Sequence, residues 1–437
     1  MTPCIAVFDI GKTNKKFILF DLNYNIIHEE QTHFEEVKDD EGENCEDLRA
    51  LTHWMKETWS KIQLNMNFDI KALNFTTYGA SFVHLDENDR PVTPLYNYLK
   101  EFPKAYDEKF YGTYGDKQDL ATATASPALG MLNSGLQIFW LKYAHAATYN
   151  KIKVSLHFPQ FCSFLFSKEY ASEFTSIGCH TGLWDMGKND YHDWVKREGI
   201  DKLFAPIKKE HLNGYTEFRN KKIPVGTGLH DSSAALIPYL KRIPGEFLLL
   251  STGTWCITLN PFAKKLLTRD ELVKDCLNYM TFEGNQVKAS RLFLGNFHEV
   301  FTKMFSGHYF KAKDFYKGVK LDPQILAKVK SMPRILKDKF NPEKLFNAHE
   351  LDAFEIYEDA YHRLLLDMAE YQAEYISLAG EGLNNGIKQL YVDGGFSKND
   401  LFMKLLSEQL PGLNIQAYDI SQGTSLGGAL VMKQYIQ

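Results

Sequence analysis

Two apolar runs open the chain. Residues 4–10 (CIAVFDI) and 16–22 (KFILFDL) are rich in β-branched and aromatic residues, and the polar stretch GKTNK lies between them. This pattern predicts two strands with a tight connection. A third strand is expected in NIIHEEQTHF (25–34). In residues 45–63, Leu48, Leu51, Trp54, Met55 and Trp59 recur at helical spacing, which predicts an amphipathic helix. ALNFTTYG (72–79) reads as a buried strand ending in glycine, and residues 126–186 as mixed loops and helices. Strand, glycine turn and helix are expected over 221–240, and strand, glycine turn and strand over 247–260. A long helix is expected over 352–379, then strand, glycine turn and helix over 389–410.

The opening hairpin and the one at 247–260 have the same plan, an apolar run on each side of a small polar turn with glycine. Later strands in each half run into helices. The pattern predicts two related α/β domains, 1–240 and 241–437, facing each other across a cleft. KRIPGE (241–246) combines charge, proline and glycine and is the expected junction.

Composition narrows the partners. The 437 residues are 44% hydrophobic and 24% charged with a formal net charge of −5, an ordinary globular balance that argues against nucleic acid or an anionic membrane as the main partner. No run of about 18 apolar residues occurs, so no membrane span is expected. The N-terminus lacks the basic and apolar regions of a secretory signal and reads as the first strand. Cys4, Cys45, Cys162, Cys179, Cys256 and Cys276 are scattered without metal-type spacing. They are expected to be reduced, buried thiols of a cytoplasmic protein. The acidic stretch 35–47 reads as a solvated loop before the first helix.

Four stretches can carry chemistry, and each also has a plain structural reading. In DIGKTNKK (9–16), backbone N–H groups, a hydroxyl and lysines suit phosphate oxygens, and Asp9 suits a hard cation; equally, this is an exposed hairpin turn. In GTGLHDSSAAL (226–236), Asp231 is an acid at the start of an apolar helix, or simply its cap, and His230 is a donor or a packed ring. LLLSTGTW (248–255) and YVDGGFSKND (391–400) are glycine turns after strands, able to approach a nucleotide or merely to turn the chain.

Taken in order, DIGKTNKK, GLHDSSAAL, STGTW and DGGFSKN resemble the FGGY carbohydrate kinases over nearly the whole chain. Residues 172–195 also resemble the segment that ends that family's sugar-binding region. HDSSAA, STGTW and TTYGASFVHLD (76–86) are similar to the L-rhamnulose and L-fuculose kinases within it.

The resemblance implies two actin-like (ribonuclease H-like) domains and transfer of the γ-phosphate of ATP to a sugar hydroxyl. It implies Asp231 as catalytic base and Asp9 as the residue placing Mg2+. Thr13, Asn14, Lys15 and Lys16 would hold the terminal phosphates, with Thr252, Gly253 and Thr254 closing on them from the other domain. Gly394, Gly395 and Asn399 would hold the adenosine, Gly295 would touch the nucleotide, and Gly79, His230 and Asp231 would contact the sugar.

The implied substrate is a ketose such as L-rhamnulose or L-fuculose. Xylulose, gluconate or a polyol, and a non-catalytic ATP-binding protein, stand as alternatives. A homodimer is admitted but not required. Three departures from the family's pattern stand out, of which the first and third bear on the sugar and the second, a smaller change, on packing alone. In PLYNYLKEF (94–102) the expected acid is missing or replaced around Lys100; QGT stands at 422–424; and Leu292 stands where a polar contact is expected.

Overall fold

The computed structural model describes residues 1–338, 348–383, 386–418 and 420–436. In the first half, β1 (Thr2–Ile10) pairs antiparallel with β2 (Lys15–Asp21), which pairs antiparallel with β3 (Ile26–Thr32). On its other side β1 pairs parallel with β4 (Phe68–Thr77), and β4 with β5 (Lys221–Gly226). The second half repeats the plan. There β6 (Leu248–Thr252) and β7 (Cys256–Asn260) form a hairpin extended by β8 (Gln286–Leu292). In turn β6 pairs parallel with β9 (Gln389–Gly394), and β9 with β10 (Asn414–Ala417). The repeated plan is the one expected from the two matching hairpins.

Both faces of the first sheet are buried, because side chains alternate along each strand. Phe8, Phe17 and Phe75 point one way, towards Leu51, Met55 and Trp59 of α1 (Leu48–Leu64). Ile5, Val7, Ile18 and Phe20 point the other way. They share a core with Leu236 and Tyr239 of α2 (Asp231–Arg242), with Leu249 and Leu259 of the second sheet, and with Leu426 and Ala429 of α6 (Gly423–Leu430). Each such side chain taken from water contributes about 1.5–3 kcal/mol. A continuous core therefore joins the two halves.

The last helix carries this junction. α6 is late in the chain, yet it lies against β1, β4 and α2 of the first half. Pro238 inside α2 has no N–H to give the carbonyl of Ala234. Gly427 packs on that carbonyl so closely that a Cβ there would lie 2.0 Å from the oxygen. Asn74 fastens the same helix, its Nδ2 donating to the Gly428 carbonyl at 2.8 Å.

Three expectations change. The acidic stretch is exposed at most of its positions, as a solvated loop would be, yet it is tied to the fold. Residues 37–38 and 44–45 pair as a small hairpin, and Asp39 and Glu46 are buried. Asp39 accepts from two backbone N–H groups and from Lys100, whose Nζ also lies 2.8 Å from Glu41. Lys100 is thus the clamp that folds this hairpin onto residues 94–102. The long helix α4 (Tyr357–Ala379) begins later than its periodicity predicts. Ahead of it the Tyr309 hydroxyl donates towards the carbonyls of Leu351 and Phe354, and residues 348–353 form a separate 3-10 turn. Leu292 is buried core. All six cysteines are free and buried, and among the described residues no helix is long and apolar enough to cross a membrane.

Gly427→Val would force α2 and α6 apart. The expected cost is about 2–3 kcal/mol, read as a lowered denaturation midpoint in urea. An unchanged midpoint would show that the contact is not close-packed in solution.

Candidate active site

Register brings the first site residues together. Asp9 on β1 lies opposite Lys16 on β2 and Thr76 on β4, so these three side chains share the face turned towards the second half. Asp9 accepts from Thr76 Oγ1 at 2.8 Å and from Ser425 Oγ, on α6, at 2.7 Å. Burial raises its carboxyl above the usual range, and the charge of Asp231 adds to this. Lys16 Nζ lies 3.1 Å from Glu29 and donates to Gln422 Oε1 at 3.2 Å. The QGT departure therefore sits in the cleft.

Lys15 does not join them. Adjacent strand residues face opposite ways, and Lys15 is in the core of the α1 side with Nζ 2.8 Å from Glu46. Of the two lysines expected to hold phosphate, only Lys16 faces the cleft. Thr13 and Asn14 sit in an exposed tight turn closed by Gly11 N–H donating to the Asn14 carbonyl at 2.9 Å.

Asp231 opens α2, where the helix dipole favours its negative charge. Its Oδ1 is held by the Ser232 N–H at 2.5 Å, by the Ser232 hydroxyl at 3.2 Å and by His230 Nε2 at 3.1 Å. Its Oδ2 has no partner among the described residues, and the side chain is 32% exposed. One oxygen is fixed and the other is open.

His230 is buried, and burial lowers its pKa, so the ring is neutral at pH 7. Its Nε2 faces both Asp231 and the Cys179 thiol, 3.0 Å away, and Nδ1 faces Ser233 Oγ at 3.4 Å. This network fits the Nε2–H tautomer, with the ring orienting Asp231 rather than projecting at a substrate. Gly79 lets the two approach the strand end: a Cβ there would lie 2.3 Å from Cys179 Sγ and 2.9 Å from His230.

A further wall escaped the sequence. The Lys12 ammonium lies 5.8 Å from the Tyr78 ring centre and 5.9 Å from that of Tyr98. It pairs with Glu36 at 2.9 Å, and Asn97 Nδ2 donates to the same Glu36 oxygen at 3.4 Å. Burial raises the pKa of the Tyr98 hydroxyl, and the charges of Asp231 and Glu36 raise it further. The acid missing from 94–102 is thus matched by one arriving from the acidic hairpin. No local spacing connects residues 12, 36 and 97.

Across the interface, β6 ends at Thr252, and a turn follows in which Gly253 N–H donates to the Trp255 carbonyl at 2.9 Å. The helix α3 (Leu294–His308) starts against this turn. A Cβ on Gly295 would lie 1.9 Å from the Gly253 carbonyl oxygen. Gly394, at φ +87°, is pressed on the Thr252 carbonyl in the same way, at 2.0 Å. The buried Thr252 hydroxyl donates to the Asp393 carbonyl at 2.5 Å and accepts from Phe396 N–H at 3.0 Å. Three chain segments are thereby locked around a cavity of about 950 Å3. Thr252, Gly253, Thr254, Gly295, Gly395 and Asn399 line it, while Gly394 supports it from behind. Asn399 also caps α5 (Asp400–Gln409) and donates to the Tyr361 hydroxyl at 2.9 Å.

His298, Glu299, Thr302 and Lys303 line the same cavity. They stand three, four, seven and eight residues after Gly295, on one helical face, so a helix begun at Leu294 would have pointed to them. Lys313, Lys317 and Lys320 from the following loop add positive charge.

Two family models match this chain. The one described as the FGGY family of carbohydrate kinases, N-terminal domain, matches residues 4–238; the one described as carbohydrate kinase FGGY, C-terminal domain, matches 244–437. A curated rhamnulokinase from Halalkalibacterium halodurans is 26% identical over 273 residues, 59% of this chain and 56% of that protein, so the match spans just over half of the relative's length. A carbohydrate kinase structure from Novosphingobium aromaticivorans superimposes with a TM-score of 0.81 at 23% identity, covering 100% of this chain and 92% of the other. The ligand-bound xylulose kinase from Lactobacillus acidophilus gives 0.74 at 12% identity, with 99% and 89% covered. These likenesses show the two-domain actin-like fold.

Gly295→Ala tests the cleft. The added methyl must push α3 off the Gly253 turn. Affinity for a fluorescent ATP analogue is expected to fall roughly tenfold or more, about 1.4 kcal/mol. Unchanged binding would mean that this turn does not shape a nucleotide site.

Proposed function

The chain belongs to the FGGY family of carbohydrate kinases, and we propose that it transfers the γ-phosphoryl group of ATP to a hydroxyl of a neutral ketose or polyol, with Asp231 as general base. The carrying observation is the asymmetry of Asp231, with Oδ1 held by three donors and Oδ2 open. The open oxygen accepts the proton of the attacking sugar hydroxyl while the held one keeps the carboxylate aligned. His230 positions it through the Nε2–H contact.

Phosphoryl transfer needs placement and charge neutralisation more than covalent chemistry. Lys16 faces the phosphates from the first half, and the turn 252–254 and the N–H groups opening α3 face them from the second. Mg2+, when bound with ATP, neutralises the phosphate oxygens. Asp9 fits such an ion: it is a hard oxygen donor, and burial and Asp231 both strain its charge, which a cation would relieve. The remaining ligands would be phosphate oxygens and water.

The choice of a neutral substrate follows from charge pairing. Around Asp231, Lys12 is matched by Glu36, Lys16 by Glu29, and Arg291 by Asp275. An aldonate such as gluconate would need a free cation for its carboxylate. A ketose such as L-rhamnulose or L-fuculose needs only neutral donors and acceptors. The rhamnulokinase likeness supports the same choice.

Asp231→Asn should lower turnover roughly 10^3-fold in a coupled ATP-consumption assay, with ATP-analogue affinity retained. Normal turnover would remove Asp231 from the mechanism.

A panel of ketoses, polyols and aldonates tests the substrate class, and Glu36→Gln tests the wall. The variant leaves Lys12 without its counter-ion. Its kcat/KM for the preferred neutral sugar should fall about tenfold, and its preference should move towards aldonates. Turnover of aldonates by the unaltered enzyme would overturn the neutral-substrate reading.

A further inference from the structure

A second cavity, about 900 Å3 in volume, lies where the two halves meet. Asp231 begins α2, whereas Lys241 and Arg242 end it at this cavity. Likewise α6 begins beside Asp9, through Ser425, and ends here at Leu430, with Val431 and Lys433 beyond. His211 from the first half and Phe282 and Glu283 from the second complete the walls. The cavity is therefore reached by running the full length of both helices away from the catalytic groups.

Its charge is unbalanced. Lys209, Lys241, Arg242 and Lys433 line it against Glu210 and Glu283. Among the described residues none of the four cations is paired with a carboxylate. Lys433 instead places its ammonium 5.7 Å from the ring centre of Tyr24.

Its walls also hold unused polar atoms. Among the described residues, the Tyr24 hydroxyl and His211 Nδ1 are buried without a hydrogen-bond partner. The His211 ring cannot swing to find one. It stacks on Phe282 with centroids 3.5 Å apart, and its backbone N–H is held by the Tyr435 hydroxyl at 3.0 Å. Burial lowers the His211 pKa to about 4, so the ring stays neutral at pH 7. Buried polar groups without a partner are costly to the fold.

Compensation of helix dipoles accounts for Lys241, Arg242 and Lys433, since cations are favoured at helix C-termini. It does not account for Lys209, which precedes the strand at 212–218.

We propose that this cavity binds a small phosphate-bearing anion that bridges the two halves. The four cations receive the phosphate oxygens. The ligand touches residues 209–211 and 241–242 on one side and 282–283 and 430–435 on the other.

The test uses the full-length protein saturated with a non-hydrolysable ATP analogue, so that the first cavity is filled. Inorganic pyrophosphate is titrated in by calorimetry. The expected result is saturable binding that weakens with salt. It should weaken roughly tenfold or more in Arg242→Ala/Lys433→Ala, with ATP-analogue affinity unchanged. Lys209→Ala removes a lining cation that no helix end explains and should weaken binding severalfold. No saturable binding, or equal affinity in both variants, overturns the proposal while leaving the kinase reading intact.

Discussion

The contact between α2 and α6 is the constraint on which the rest of this molecule depends. Two residues allow the backbones to meet. Pro238 leaves the Ala234 carbonyl without its helical donor, and Gly427 has no side chain to collide with it. The consequence reaches both ends of the helices. At one end Ser425 meets Asp9 and Gln422 meets Lys16, so the end of the chain completes a site begun by its first strand. At the other end the same packing gathers the basic residues of the second cavity.

Charge is placed with equal economy. Alternation along β2 sends Lys15 into the core to meet Glu46 and Lys16 into the cleft. A buried pair like Lys15–Glu46 adds little net stability, but losing either partner would strand a charge. It fixes the opening turn against the acidic hairpin. Lys100 anchors that hairpin from the other side, and Glu36 is thereby delivered to the wall that holds Lys12 and Asn97. The wall beside Lys12 is built from a segment that looks, as sequence, like solvent-facing filler.

The two glycines of the second half work by close approach. Gly295 and Gly394 each let a neighbouring segment rest on a carbonyl of the 252–253 turn. Three segments more than forty residues apart are packed into one rim around the cavity.

Much of this was legible in the chain. Strand and helix periodicities follow from local alternation, and the matched hairpins disclosed two similar halves. Asp9, Asp231 and the glycine turns stood at strand ends and helix starts, where local chemistry marks them. Three matters were decided only by tertiary structure. Which of Lys15 and Lys16 faces the cleft depends on which sheet face α1 covers. The late start of α4 depends on Tyr309 taking carbonyls that the helix would have used. The pairing of Lys12, Glu36 and Asn97 depends on a hairpin held down by Lys100. Periodicity reports what a residue's near neighbours want, whereas charge pairing and close backbone approach are settled by segments that only folding brings together.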